Sequence, residues 1–230
     1  MGEILGSSSL FALALTLGAY LFGLWCQSKL RVSLCNPILI GAIIVPVVLL
    51  IVKIPAETFQ QSTSLFSWLL TPATVCLALP MYEQLKILRK KLPVILVSVA
   101  AGTLASLAFI AAVGLLLKLD YQTLVSLLPK SVTSAISMPL AEQNGGISAL
   151  ATISVVITGI FGSLIAPAFC KMLKLTDPVS QGVAIGTSSH LAGTSKATEM
   201  GELQGAVSTV ALSVAGILTA IIFPIVLQFI

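Results

Sequence analysis

The sequence predicts an all-α fold, a polytopic membrane helix bundle with about seven or eight crossings, some of them broken or re-entrant. Of the 230 residues, 57% are hydrophobic and 9% are charged, whereas a soluble domain carries roughly 25% charged residues because its surface faces water. The apolar residues also fall into runs of about 20, the length that crosses the hydrocarbon core. Residues 1–230 are therefore predicted to form a single membrane domain surrounded by lipid.

Five apolar segments are predicted to span the membrane in full, because they are long and nearly free of charge. In chain order they are Ile4–Trp25, Pro37–Val52, Leu92–Leu117, Ile147–Met172 and Leu203–Phe229. The first follows Glu3 and has its basic flank behind it, which favours a retained span over a cleaved signal peptide. The second opens on Asn36 and Pro37, an ordinary helix start.

Three further segments are apolar but broken by Pro, Gly, Ser or Thr. They are Ser62–Tyr82, Tyr121–Gln143 and Asp177–Met200. Lipid cannot satisfy bare backbone N–H and C=O groups, so such segments must line protein or water. Broken helices at membrane depth are the usual binding elements of secondary transporters. The glycine pairs Gly182/Gly186 and Gly201/Gly205 favour helix packing over ligand contact.

A short internal match predicts two related halves, roughly 1–118 and 119–230. The stretch PMYEQ at 80–84 corresponds to PLAEQ at 139–143, and each precedes a long apolar helix. Chance also produces matches of this length. The halves, if related, are typical of secondary transporters, which are often built from internal repeats.

Basic residues gather in three clusters between the apolar segments, and such clusters mark cytoplasmic loops under the positive-inside rule. All three lie inside only if Tyr121–Gln143 returns to the side from which it enters. That arrangement places the amino terminus outside and the carboxyl terminus inside. The clusters are Lys29 and Arg31; Lys86, Arg89, Lys90 and Lys91; and Lys171 and Lys174.

Composition and motifs exclude several other functions. The net charge of +4 comes from 12 basic and 8 acidic residues, too few for a nucleic-acid-binding surface. The four cysteines stand alone, and the single histidine cannot complete a zinc site with them. Hydrolase, protease and nucleotide-binding motifs are missing from the sequence. We therefore predict a protein that is not an enzyme and that needs no metal or cofactor.

Lys130 is the first candidate for a functional site. It lies between Pro129 and Ser131 in a broken segment, with Thr133 close behind. A lysine at the bilayer centre costs about 2.5–3.5 kcal/mol on insertion scales, so a deep position needs a reason. One interpretation is a lysine that extends to the membrane surface. The other is a cation that faces an anionic substrate, beside helix-start amides and the hydroxyls of Ser131 and Thr133.

His190 is the second candidate and the only histidine of the chain. Its neighbours from Gly186 to Lys196 are mostly small or hydroxylic, so another backbone or a ligand can come close. A lone histidine is often a hydrogen-bonded packing residue. In this setting it is also a candidate proton carrier or carboxylate donor, with Ser189 and Thr194 as further substrate-binding candidates.

Five polar residues have weaker claims. Lys196 and Glu199 are three residues apart, so they are predicted either to pair on one helix face or to take part in coupling. Glu202 and Glu142 are candidates for coupling or structural roles at segment ends. Asn36, at the start of a span, is a further substrate-binding candidate.

Three sequence patterns resemble the LrgB/CidB family. They are LLPKSVTS at 127–134, GTSSHLAGT at 186–194 and EMGELQGAVS at 199–208. The family includes YohK-type bacterial inner-membrane proteins and the carboxyl-terminal region of the plastid glycolate/glycerate translocator. The resemblance covers essentially the whole chain, with mild departures at Leu191, Ser195 and Lys196.

The resemblance implies two functions. Some members of the family are antiholin-like regulators of murein hydrolase export and autolysis, which act with a small LrgA/CidA-type membrane protein. Others carry short carboxylates such as pyruvate, glycolate, glycerate or lactate. We predict a homodimeric, multi-pass protein of the inner (cytoplasmic) membrane that carries small monocarboxylates, coupled to protons or to exchange. The antiholin-like regulator is the alternative.

Overall fold

The computed structural model describes residues 8–30, 37–76 and 78–229. Within these ranges the chain is helical, with short turns and no strands, which confirms the predicted all-α fold. The chain forms two compact units, residues 1–76 and 77–230. The predicted repeats 1–118 and 119–230 do not coincide with this division and stay a prediction.

The described part of the first unit is an antiparallel helix pair followed by two shorter helices. The helices are α1 (Ser9–Leu30), α2 (Pro37–Val52), α3 (Ala56–Ser62) and α4 (Ser64–Cys76). Gly23 lets α1 approach α2, since a Cβ there would lie 2.7 Å from Pro37 Cα. The chain bends by 119° between α2 and α3. Asn36, a predicted binding residue, lies outside the described residues.

The second unit is built from three long helices with shorter or broken helices between them. In chain order these are α5 (Ala78–Glu83), α6 (Leu85–Leu116), α7 (Tyr121–Leu127), α8 (Ser134–Gln143), α9 (Ser148–Met172), α10 (Pro178–Met200) and α11 (Glu202–Val226), which a 3-10 turn follows. In the described chain α1, α6, α9 and α11 are long and apolar enough to cross a membrane, and counting the bent pair α2–α3 as one span gives five candidates. The predicted 7–8 crossings are not confirmed.

Helices α7 and α8 form a helical hairpin, hairpin A, whose two ends are adjacent. The N–H of Ile147, just after α8, donates to Ser126 Oγ in α7 at 2.7 Å, and Gly145 lies beside the Tyr121 ring. The arms have 7 and 10 residues, which makes them about 10–15 Å long. The arms therefore reach about one third and one half of the ~30 Å thickness of the hydrocarbon core. These contacts agree with the re-entrant course predicted for 121–143.

Helix α10 contains a sharp reversal at Ser189 and His190. Ser189 has φ −131° and ψ 16°, and His190 has φ 40° and ψ −138°, so neither residue is helical. A Cβ at Gly193 would lie 3.0 Å from Ile185 Cγ2, although a straight helix would separate these residues by about 12 Å along its axis. The two halves of α10 therefore fold back on each other and form a second hairpin, hairpin B.

Both arms of hairpin B lie beside the first half of α11. In the first arm, Gly182 lies against Val207; in the second arm, Thr198 lies against Gly205. The first arm thus runs parallel to α11 and the second arm runs antiparallel to it. The close approaches at Gly182 and Gly205 agree with the helix packing predicted for the glycine pairs.

The two hairpins enter the second unit from opposite sides. At the open end of hairpin B, Asp177 interacts electrostatically with Lys91 at the start of α6. Met200 packs against the same buried cluster as Leu175, which lies just after α9. Hairpin A instead follows the other end of α6. We call the end of the unit where α6 begins and α9 ends the basic side, because the lysine and arginine clusters at 86–91 and 171–174 lie there.

The reversal at His190 corrects the predicted topology. Because α10 returns to the basic side, α11 starts there and ends on the opposite side, where Phe223 packs with Leu107 and Ile110 of α6. The prediction that the carboxyl terminus lies on the side of the basic clusters is wrong in this respect. A positive φ at one residue leaves no trace in hydropathy, so the sequence alone predicts a crossing for this segment.

Both hairpins begin with the same signal. The long helices α6 and α9 are followed by Lys118 and Lys174, whose φ angles are 52° and 54°. An aspartate N-cap then starts the next helix, Asp120 for α7 and Asp177 for α10. The order of long helix, left-handed lysine, leucine and capping aspartate therefore occurs twice, once at each side of the unit.

Asp177→Ala is expected to lower the stability of the folded protein by about 1 kcal/mol. The Asp177 carboxylate accepts hydrogen bonds from Ser180 Oγ–H at 2.8 Å and Ser180 N–H at 2.9 Å, and these bonds lower its pKa. Since the folded-state pKa lies below the unfolded value of about 3.9, the contribution exists above that pH and is lost as the pH falls through the folded-state pKa. The Tm difference between the two proteins in detergent should shrink from about pH 7 to about pH 3; a constant difference would argue against the cap.

Candidate functional site

A polar layer separates two apolar clusters in the second unit. The cluster on the basic side contains Leu88, Ile95, Val99, Val179, Ala206, Val207, Ala211 and Ala215. The cluster on the opposite side contains Leu107, Ile110, Leu124, Val125, Leu128 and Phe223. The layer between them consists of the hairpin tips and the middle of α6 and α11, and its buried polar side chains are Thr103, Thr187, Ser189, His190 and Thr219.

The tip of hairpin A positions Lys130 in this layer. Pro129 is buried and has no N–H, so it interrupts the helical hydrogen bonding just after α7. Ser131 Oγ lies 3.1 Å from Ser106 Oγ of α6. Since Ser106 is near the middle of the apolar run 92–117, the contact places the tip near the middle of that span.

Lys130 is half-buried at this depth. Among the described residues, its ammonium has no ion-pair partner, because the one ion pair found there joins Lys196 and Glu199. A lysine at the bilayer centre costs about 2.5–3.5 kcal/mol. The contact of its neighbour with Ser106 does not fit a lysine at the membrane surface, so the charge is available for an anion.

The start of α8 adds partial positive charge next to Lys130. Thr133 is the N-cap of α8, and its hydroxyl makes no capping hydrogen bond. The N–H groups of Ser134 and Ala135 are in the first turn, where a helix offers no carbonyl partner. A helix start with a lysine three residues ahead of it is suited to a carboxylate, which accepts hydrogen bonds from N–H groups and is attracted by both charges.

His190 forms the tip of hairpin B and is buried. Its Nε2 lies 2.9 Å from the Val155 carbonyl oxygen of α9. In the neutral ring, Nε2–H therefore donates and Nδ1 remains an acceptor. The φ of 40° is one that residues other than glycine avoid, at a cost of about 1–3 kcal/mol, and strain of this kind is retained where the structure holds a residue in place.

Two glycines of α9 make room for this tip. A Cβ at Gly159 would lie 2.5 Å from His190 Cε1, and a Cβ at Gly162 would overlap Ser189. Ser189 is buried, and its hydroxyl lies 3.0 Å from that of Ser188. The spacing of the two glycines, one helical turn apart, fixes the depth at which the tip of hairpin B sits against α9.

The two hairpin tips meet in the polar layer. The Lys130 ammonium is close enough to act electrostatically on the His190 ring. Thr187, just ahead of the reversal in hairpin B, lines one small cavity together with Pro129 and Ser131 of hairpin A. The structure therefore brings the predicted residues of the two broken segments into one polar region.

Thr194 has a different environment from the other predicted binding residues. It is fully buried, and its hydroxyl donates to the His190 carbonyl at 2.9 Å and lies 2.8 Å from Ser208 Oγ. These bonds tie the second arm of hairpin B to α11. They stabilise the reversal and leave the hydroxyl little capacity for a ligand.

The predicted charged residues other than Lys130 lie away from the hairpin tips, towards the open ends of the hairpins. Lys196 and Glu199 form an ion pair of 2.7 Å, as their spacing predicts. Glu202 is exposed in the first turn of α11, and Glu142 is exposed near the end of α8. Across the described residues, no group of three His, Cys, Asp or Glu side chains is placed to hold a metal ion.

Two functional candidates on α6 were not predicted from the sequence. Thr103 and Ser106 line the cavity, but they stand within the apolar run 92–117, which reads as a plain span. Their spacing of three residues places both hydroxyls on one helix face. This spacing was the available signal, because hydroxyls on one face of a span favour contact with other polar groups.

Comparison with known proteins identifies close relatives of the chain. A family model described as the LrgB-like family matches residues 16–229. The chain is 33% identical to "Uncharacterized protein YwbG" of Bacillus subtilis (strain 168), over 84% of this chain and 86% of that protein. It is 29% identical to "Antiholin-like protein LrgB" of Bacillus mycoides (strain KBAB4) and of Bacillus cereus (strain B4264), over 96% of each chain. No solved structure matches significantly.

Proposed function

The chain belongs to the LrgB-like family, and we propose that this multi-pass membrane protein is a secondary carrier of small monocarboxylates such as pyruvate, glycolate, glycerate or lactate. The observation that supports the proposal is the meeting of two opposed hairpin tips around Lys130, which has no ion-pair partner among the described residues. Discontinuous helices that bring polar groups together near the midplane are the binding elements of secondary transporters. Intramembrane cations are expensive and mark such sites.

The charge of the site favours one carboxylate. Lys130 neutralises a single negative charge, and the start of α8 donates N–H groups to the same anion. The hydroxyls of Thr133 and Ser189 and the imidazole of His190 are neutral groups that suit a hydroxyl or keto oxygen on the substrate. A dicarboxylate would leave its second charge without a full counter-charge.

The opposed hairpins provide one gate on each side of the site. Hairpin A separates the polar layer from the opposite side, and hairpin B separates it from the basic side. Displacement of one hairpin at a time exposes the site to one side of the membrane and then the other. The basic side faces the cytoplasm under the positive-inside rule, which suits the cytoplasmic membrane.

Reconstitution of the purified chain into proteoliposomes tests the carrier function. We expect saturable uptake of labelled lactate, pyruvate or glycolate, with each acid competing against the others. The neutral amide lactamide should not compete, because it lacks the charge that Lys130 binds. Absence of uptake for all these acids, with well-folded protein in the vesicles, would refute the proposal.

An antiholin-like regulator is the second candidate, because two of the relatives carry the name "Antiholin-like protein LrgB". In that function the chain would act with a small LrgA/CidA-type membrane protein, and assembly rather than transport would control lysis. Neutral replacement of Lys130 and His190 should then leave regulation of autolysis intact. Autolysis rates of cells that express Lys130→Met therefore distinguish the two candidates. Separately, the mass of the detergent-solubilised protein tests the predicted homodimer.

A further inference from the structure

The small cavity in the polar layer contains two hydroxyls without partners. Thr103 Oγ1 and Thr187 Oγ1 are buried and have no hydrogen-bond partner among the described residues, and the two residues are only 5% and 7% exposed. Most buried polar atoms in proteins are paired, and an unpaired one costs about 1–3 kcal/mol. Because both threonines line the same cavity, a shared occupant that binds to their oxygens explains both.

The walls of the cavity supply oxygen atoms without full charges. The hydroxyl residues Ser106, Ser131 and Thr219 complete the polar part of the lining, and the remaining walls are apolar side chains. Carboxylates and Lys130 are not among the described lining residues. A divalent ion usually takes carboxylate ligands, so the donor set suits a monovalent cation better.

Two half-helices end at this cavity with their carboxyl ends. The cavity wall includes Leu128 and Pro129, which lie at the end of α7. It also includes Thr187, which lies near the end of the first arm of hairpin B. Pro129 has no N–H, so the Val125 carbonyl lacks the donor that an uninterrupted helix would provide. The ends of half-helices carry partial negative charge, and in discontinuous transport helices they coordinate Na⁺ or H⁺.

The volume limits the occupant to a single small species. The cavity volume is about 10 Å³, which corresponds to roughly one water. A monocarboxylate does not fit in this space. A dehydrated sodium ion does, with the hydroxyls of α6, α10 and hairpin A around it.

We propose that this cavity is a binding site for a sodium-sized monovalent cation that is carried together with the carboxylate. The proposal rests on the carrier function for its transport role, and it assigns a coupling ion to the protein. The nearby Lys130 ammonium weakens binding of the cation, and a bound carboxylate relieves this repulsion, so each ligand strengthens the binding of the other. The site lies between hairpin A, α6, α10 and α11, and therefore senses the position of both gates.

Thr103→Val and Thr187→Val test the site, because valine keeps the shape of threonine and removes only the hydroxyl. We expect Na⁺, compared with choline, to raise the Tm of the purified wild-type protein by a few degrees without any carboxylate, and each variant to lose that rise. In proteoliposomes an inward Na⁺ gradient should stimulate wild-type lactate uptake about 10-fold or more, and the variants should lose the stimulation. Thr209→Val is the matched control, since Thr209 is buried in α11 but its hydroxyl donates to the Gly205 carbonyl at 2.9 Å, outside the cavity.

The two readouts separate the failure of this site from the failure of the carrier function. Lactate uptake that does not depend on Na⁺, K⁺ or Li⁺, with no effect of Na⁺ on Tm, would overturn the cation site and leave the carrier standing; the cavity would then hold water only. A Na⁺-dependent Tm that needs Thr103, without uptake of any carboxylate, would support the site and refute the carrier. Equal loss of the Tm response in Thr209→Val would also overturn the assignment.

Discussion

Lys130→Met is expected to lower the initial rate of carboxylate uptake, at low substrate concentration, by about 10- to 150-fold. The variant removes a charge-assisted hydrogen bond to the substrate, worth about 1.5–3 kcal/mol, and about 1.4 kcal/mol corresponds to a factor of ten. At the same time the folded protein should become more stable. An unpaired lysine at the bilayer centre costs about 2.5–3.5 kcal/mol, and the apolar methionine side chain avoids that cost.

Lys130→Met is thus expected to lower uptake and to raise the Tm, and both changes must be seen together. Uptake of labelled lactate and the Tm of the purified protein are measured on the same preparations. Lys130→Arg should retain part of the uptake because it keeps the charge, although the planar guanidinium fits differently. Lys171→Ala, an exposed lysine near the end of α9, should leave both quantities unchanged. Normal uptake by Lys130→Met would remove Lys130 from the substrate site.

The boundaries of the helices were largely predictable, because proline breaks and apolar runs are local features. The broken segment Tyr121–Gln143 begins and ends with α7 and α8, and its re-entrant course followed from the positions of the basic clusters. Hairpin B was harder to predict because its reversal depends on one backbone conformation at His190. The signal that precedes both hairpins, Lys-Leu-Asp at 118–120 and Lys-Leu-Thr-Asp at 174–177, was present in the sequence.

Lys130, His190 and the hydroxyl residues beside them in the broken segments were predictable, and the cavity threonines Thr103 and Thr187 were not. Lys130 and His190 are conspicuous because such residues are rare in apolar segments. Thr103 and Thr187 are not, since a buried hydroxyl inside a helix usually bonds to its own backbone. Only the three-dimensional arrangement shows that their hydroxyls are unpaired and face the same cavity.

Gly186→Ala is expected to destabilise the second unit by about 1–3 kcal/mol or more, as overpacking does in a close-packed interior. The added Cβ would overlap the Ser208 carbonyl oxygen and lie 2.9 Å from Ala211 Cβ. A backbone carbonyl cannot rotate away as a side chain can, so α10 and α11 must separate. Separation would also loosen the bond between Thr194 and Ser208, at 2.8 Å, which holds the reversal of hairpin B.

Gly41→Ala provides the matched control, because no atom of the described residues lies within 4 Å of a Cβ at that position of α2. There alanine relieves the cost of glycine in a helix, about 0.8–1.0 kcal/mol, so the Tm should rise. The two substitutions add the same methyl group and should change the Tm in opposite directions, measured by the loss of monodisperse protein on heating in detergent. If Gly186→Ala kept the wild-type Tm and uptake, hairpin B would not be packed against α11 as described, and the gate on the basic side would need another structure. If it lowered Tm and Gly41→Ala raised it, the close contact of hairpin B with α11 would be established as the support of that gate.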